Sequence, residues 1–125
     1  MFKDLEDIEI FLRQLLIEFK LDDKVGITWN NRYRSTFAAF CYKKHDFRYK
    51  TYIDISVKNM KANLWNVPFI NECLRHEIAH AIDFYERGHS PHDKRWKEIA
   101  IQCGSTGIVF PGAKYFKIKE IKDKK

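Results

Sequence analysis

The stretch His76-Glu77-Ile78-Ala79-His80-Ala81-Ile82-Asp83-Phe84-Tyr85-Glu86-Arg87-Gly88-His89-Ser90-Pro91-His92-Asp93-Lys94-Arg95-Trp96 decides how this 125-residue chain is read. Its first five residues have the form HExxH. Residues four apart share one face of a helix, so the imidazoles of His76 and His80 can approach a single metal ion. Glu77, one position on, leans over the open side of that ion. The pattern therefore requires a helix, and its flanks supply the signals for one. Asn63 and Asn66 are candidate caps ahead of Pro68, where a helix can begin despite the missing N–H, and Gly88 is a fitting stop. A helix over Phe69–Arg87 is expected. Beyond it, Ser90-Pro91-His92-Asp93 reads as a capping box with Pro91 at the first helical position. It opens a last helix whose buried stripe is Trp96, Ile99, Ala100 and Cys103 and whose end is Gly104.

Upstream, Ile8, Phe11, Leu12, Leu15, Leu16 and Phe19 recur at helical spacing, which predicts an amphipathic helix over about residues 4–20. Asp22-Asp23 marks its end. Val25, Ile27 and Trp29 alternate as one face of a strand would. Aromatic and β-branched residues predict two more strands, near Thr36–Tyr42 and Thr51–Val57. The polar run Lys43-Lys44-His45-Asp46 permits a hairpin between them. The predicted order is N-terminal helix, small three-stranded sheet with a hairpin, HExxH helix and C-terminal helix: an α+β domain. We place it at residues 1–113, with 114–125 as a basic C-terminal tail whose last residues are mobile.

Composition limits the class. Hydrophobic residues make up 45% of the chain and aromatics 15%, enough for one packed core and against global disorder. Lys and Arg number 23 against 17 Asp and Glu, a net charge of +6 that favours anionic partners. Cys41, Cys73 and Cys103 are odd in number and scattered, so they read as small buried residues rather than a disulfide framework. Cys73, three residues before His76, lies near the metal face, where a regulatory thiol is the alternative. No apolar run reaches the roughly 20 residues that span a bilayer. The acidic, amphipathic N-terminus lacks the basic-then-apolar order of a signal peptide. A cytoplasmic protein, not secreted and with no membrane partner, is the expectation; oligomeric state has no signal.

A catalytic zinc takes three protein ligands and keeps one position open. A metzincin would need histidine where this chain has Glu86 and glycine where it has Asp83. A thermolysin-like site would need Glu98, which at about 100° per residue falls away from the buried stripe of the last helix. His92 falls on the same face as Ile99, near Trp96, and is the expected third ligand. His89, in the turn after Gly88, is the competitor, as ligand, transition-state donor or solvated side chain. Asp83 lies two turns along from His76 and reads either as an acceptor orienting a ligand imidazole or as a surface carboxylate.

His76 to Trp96 resembles the SprT-like (Spartan) metalloproteases, which pair HExxH with a later histidine followed four residues on by an aromatic. Here that spacing is His92 to Trp96, whereas His89 would put Asp93 in the aromatic's place. The resemblance extends upstream to Ile27-Thr28-Trp29-Asn30 and Tyr52-Ile53-Asp54-Ile55-Ser56. It implies a zincin-like fold, one catalytic Zn²⁺ on His76, His80 and His92, and peptide hydrolysis with Glu77 as general base. Many members carry glycine after the third histidine, where this chain has Asp93, and a C-terminal zinc ribbon, for which this chain has no CxxC.

Arg32, Arg34, Lys43, Lys44, Arg48 and Lys50 fall within twenty residues and are interleaved with Tyr33, Phe37, Phe40, Tyr42, Phe47 and Tyr49. Cations with stacking rings suit single-stranded nucleic acid. The other reading is strand core plus a solvated hairpin. The resemblance favours DNA, and with it a protease for DNA-bound or DNA-crosslinked proteins. A DNA-binding adaptor with a structural zinc, closed by His89 as fourth ligand, and a peptidase with no nucleic-acid link are the alternatives.

Overall fold

The computed structural model describes residues 2–45, 48–107 and 118–120. Along the chain run α1 (Leu5–Glu18), β1 (Val25–Asn30), β2 (Ala38–His45), β3 (Arg48–Ser56), α2 (Val57–Lys61), α3 (Val67–Arg87), α4 (Lys94–Gln102) and β4 (Ile118–Glu120). The fold is α+β, as the sequence predicts. The Asp4 carboxylate accepts from Asp7 N–H to cap α1, with Glu6 and Asp7 placed to favour the positive end of its dipole. Asn66 caps α3 through Phe69 N–H, and Pro68 sits in its first turn.

The sheet is mixed, in the order β1-β3-β2-β4. β3 enters between its predecessors, antiparallel to β2 and parallel to β1. The β2–β3 pairing closes at His45↔Arg48, as the expected hairpin requires; its tip, 46–47, lies outside the described residues. Strand alternation sorts the side chains by face. Ala38, Phe40, Ile53, Ile55 and Val25 point to the helices and share one core with Ile8 and Leu12 of α1, Ile70, Leu74 and Ile78 of α3, and Trp96 and Ile99 of α4. The rings of Phe40 and Tyr42 meet Phe84 of α3 at 5.5 and 4.6 Å. This contact holds the HExxH helix against β2.

Three elements differ from expectation. A short helix, α2, follows β3 directly because Ser56 Oγ accepts from Asn59 N–H and caps it. A fourth strand, β4, pairs in parallel with Phe40–Tyr42 from within the stretch read as a tail. The rest of that tail, 114–117 and 121–125, lies outside the described residues. Finally, α4 begins at Lys94 with Asp93 as its cap, three residues later than the Ser90 capping box predicts. His92 therefore sits in the connecting turn and not in a helical turn. Among the described residues, no helix is long and apolar enough to cross a membrane.

Candidate metal centre

α3 is 21 residues long and is buried on nearly every side between His76 and Phe84, where His76, Glu77, His80 and Asp83 are all inaccessible to solvent. Gly88, in the left-handed region at φ +79°, ends it and turns the chain back. The six-residue connection to α4 returns His92 to the helix. Its Nε2 lies 3.0 Å from His76 Nε2 and 2.9 Å from His80 Nε2. The ligating nitrogens of the three residues all fall within 4.8 Å of one another, so His76, His80 and His92 are positioned to bind one metal ion.

The donor set fits such an ion. Burial, with the charge of His92 adding to it, pushes the His76 pKa down to about 3. Burial and the two neighbouring rings hold His80 well below the usual histidine range, and burial lowers His92. All three are therefore neutral, the form that ligates. Three neutral nitrogens focused on one point are complementary to a cation. An all-imidazole set with no carboxylate among it suits zinc or a similar borderline metal. Trp96 of α4 walls the centre, its ring at 4.4, 5.1 and 4.7 Å from the rings of His76, His80 and His92. His92 alone of the three is only partly buried, so the centre opens on its side.

Glu77 is anchored from the sheet. Phe40 N–H of β2 donates to its Oε1 at 2.8 Å. Its Oε2 is buried with no hydrogen-bond partner among the described residues. Burial raises the Glu77 pKa well above the usual carboxylate range, against the opposing Phe40 hydrogen bond. One oxygen is fixed from the sheet; burial favours the protonated form of the group, and a cation held by the neighbouring imidazoles would favour the ionised form that a general base needs.

Two supports were not read from the sequence as they stand. Ser90 Oγ lies 2.7 Å from His80 Nδ1. With Nε2 presented to a metal, Nδ1 carries the proton and donates to Ser90, which fixes the ring. Asp83 does not orient an imidazole and is not a surface carboxylate; it is fully buried and accepts two Arg87 N–H bonds at 2.6 and 2.7 Å. Arg87 also donates twice to Asp93, both at 2.9 Å, and Asp93 Oδ1 accepts from Trp96 N–H. One guanidinium thus ties the end of α3 to the start of α4, which fixes the span carrying Ser90 and His92. The Asp83/Arg87 spacing of four was a legible signal for that pair. Ser90→Ala is expected to weaken metal binding by roughly 10–100-fold, the usual effect of removing such a support. Competition against a metal-sensitive dye reads it; unchanged affinity would reduce Ser90 to packing.

The other candidates fall elsewhere. His89 is exposed, its Nδ1 3.2 Å from Arg87 O in its own turn. Glu98 is exposed and pairs with Arg95, as its helical position predicts. Cys73 is buried, and desolvation pushes its thiol pKa far up, which leaves no reactive thiolate. Among the described residues the basic side chains do not form one patch. Arg32, Lys43 and Lys50 share a cavity on the outer face of the sheet. Lys44 follows Tyr42 on the helix side, and Arg34 is exposed in the β1–β2 loop. The Arg48 side chain, Phe47 and the Tyr49 side chain lie outside the described residues. Phe37 packs on Phe69, Phe40 and Tyr42 on Phe84, and Tyr33 O–H donates to Asp54. These rings serve packing and loop anchoring.

No curated protein and no solved structure shows significant similarity to this chain. The model of the SprT-like family matches residues 6–120, a span that includes β1, the whole HExxH helix, the His92 turn and α4. The chain belongs to the SprT-like family.

Proposed function

We propose that the protein is a zinc-dependent metalloendopeptidase acting on proteins bound or crosslinked to DNA. The observation that carries the reading is the convergence of two buried imidazoles and a partly buried third, at 2.9 and 3.0 Å, next to a buried carboxylate with one oxygen unpartnered among the described residues. Family membership supports the same chemistry, since SprT-like proteins are associated with metalloprotease activity. His76, His80 and His92 would hold the ion through Nε2. When bound, zinc supplies Lewis acidity that polarises the scissile carbonyl and offsets developing negative charge. Glu77 Oε2 accepts the proton of the attacking water and returns it to the leaving amine. Phe40 N–H keeps the carboxylate aimed while this happens, and Trp96 excludes water from the far side of the rings.

The adaptor reading needs a fourth ligand to close the site. Among the described residues the cluster contains only three, and His89 is not one of them. This favours the enzyme. The test is cleavage of a DNA-binding protein by the zinc-loaded chain, with and without single-stranded DNA, and after chelation. Cleavage that needs both metal and DNA is the expected result. Cleavage indifferent to DNA would leave a general peptidase. A tightly bound metal with no cleavage in any condition would point to the adaptor.

A further inference from the structure

His92 is the one residue of the metal centre that no regular element holds. His76 and His80 ride on α3, whereas His92 lies in the six-residue connection 88–93 that leads to α4. The connection opens on Gly88 at φ +79°, where an added Cβ would meet nothing within 4 Å. A segment of this kind has conformational freedom to lose, and ordering it as an ion binds would subtract from affinity. Arg87 removes that freedom. Its Nε and Nη2 donate to the two oxygens of Asp83, and its Nη1 and Nη2 to the two oxygens of Asp93. Four of the five N–H donors of the guanidinium are committed in this way. One carboxylate is fully buried on α3. The other caps α4 by accepting Trp96 N–H at 3.0 Å, and the Trp96 ring walls the three imidazoles. The bridge therefore ends directly beside His92. A second tie between the two helices, Arg95 to Glu86 at 2.8 Å, is exposed on both sides, and exposed pairs contribute little.

We propose that Arg87 is the positioning residue of the metal centre: it presets His92 against His76 and His80 before an ion arrives, and so sets how tightly the ion is held. The chemistry asks for arginine. An ammonium has three donors and no planar fork, so it cannot reproduce the four bonds. Asp93 is equally specific. It stands where many SprT-like proteins carry glycine, and a glycine could make neither the cap nor the bridge. This chain thus holds its third ligand with a shared guanidinium where a helical turn could have held it. The inference rests on the metal-centre half of the proposed function and does not depend on the substrate.

The test combines zinc affinity of the full chain, by competition with a metal-sensitive dye, with hydrogen exchange of the metal-free chain. Arg87→Lys keeps a cation beside the buried Asp83, so the fold survives while the paired bonds to Asp93 are lost. It should bind zinc roughly tenfold more weakly, the lower end of what outer supports of a metal ligand contribute. Before any metal is added, the Asp93 amide, which donates to Pro91 O at 2.8 Å, should exchange faster than in the wild type. Asp93→Ser retains a good helix cap but cannot reach Arg87, and should weaken zinc binding by a similar factor. Because both substitutions break one bridge, the double variant should bind no more weakly than either single one. Glu86→Gln, which removes the exposed tie, should match the wild type. Wild-type zinc affinity in Arg87→Lys, even with a lowered unfolding midpoint, would make Arg87 a support of the fold alone and overturn the proposal. So would single effects that multiply in the double variant, or equal weakening by Glu86→Gln. A wild type that binds no zinc would overturn the metal centre and this inference together. The expected affinities in a chain that cleaves nothing would support the inference and remove only the peptidase reading.

Discussion

Glu77→Gln is expected to retain the fold and the bound metal while lowering cleavage by roughly 10²–10⁴-fold, the range a positioned general base contributes. Gln has the shape of Glu, and its Oε1 can still accept Phe40 N–H, so the tie between α3 and β2 survives. What disappears is the proton acceptor at the other oxygen. Stability should not suffer. In the wild type a fully buried carboxylate carries one oxygen without a hydrogen bond among the described residues, and burial works against its charged form. The amide removes the charge but places two N–H donors at the same unpartnered position, so the unfolding midpoint of the variant should stay close to that of the wild type. Elemental analysis, thermal unfolding and cleavage on the same preparations decide it. Retained cleavage would remove Glu77 from its role, and loss of metal would make it a structural support of the site.

The parts of the fold legible in sequence were those set by local periodicity. α1 and α3 follow from their apolar spacing, and the HExxH face follows from helical geometry alone. The parts that were not legible depend on partners far along the chain. Ser90 and Asp93 are both good caps by residue type, and Pro91 favours Ser90. Asp93 prevails because Arg87 holds its carboxylate in place beneath Trp96 N–H, while the Ser90 hydroxyl is taken by His80. His92 thus joins the cluster by a different local route: it reaches His76 and His80 from a turn, and the helical face assigned to it does not exist. β4 is three residues of a lysine-rich stretch and owes its strand form to pairing with β2. The interleaved aromatics at 37–42 show the same limit, since alternation cannot distinguish a stacking surface from a core face until α3 is seen covering it.

His92→Ala and His89→Ala separate the candidate centre from its competitor, and their effects should differ widely. A ligand that binds only the folded state stabilises it by about 4 kcal/mol when present at 1,000 times its Kd. The wild type should therefore show a marked rise in unfolding midpoint on adding zinc and lose it on chelation. His92→Ala leaves His76 and His80, two nitrogens on a buried helix face, with the open side now facing solvent. Its zinc affinity should fall by more than the roughly 100-fold that removal of an outer support costs, and the zinc-dependent rise should vanish. Its metal-free midpoint should move little, because His92 is only partly buried and the Arg87 bridge that fixes the turn is intact. His89→Ala removes an exposed ring whose Nδ1 lies 3.2 Å from the carbonyl of Arg87 in its own turn. Zinc affinity, the zinc-dependent rise and cleavage should all match the wild type. If His89→Ala instead weakens zinc binding as much as His92→Ala, a fourth imidazole closes the site, and a structural zinc replaces a catalytic one.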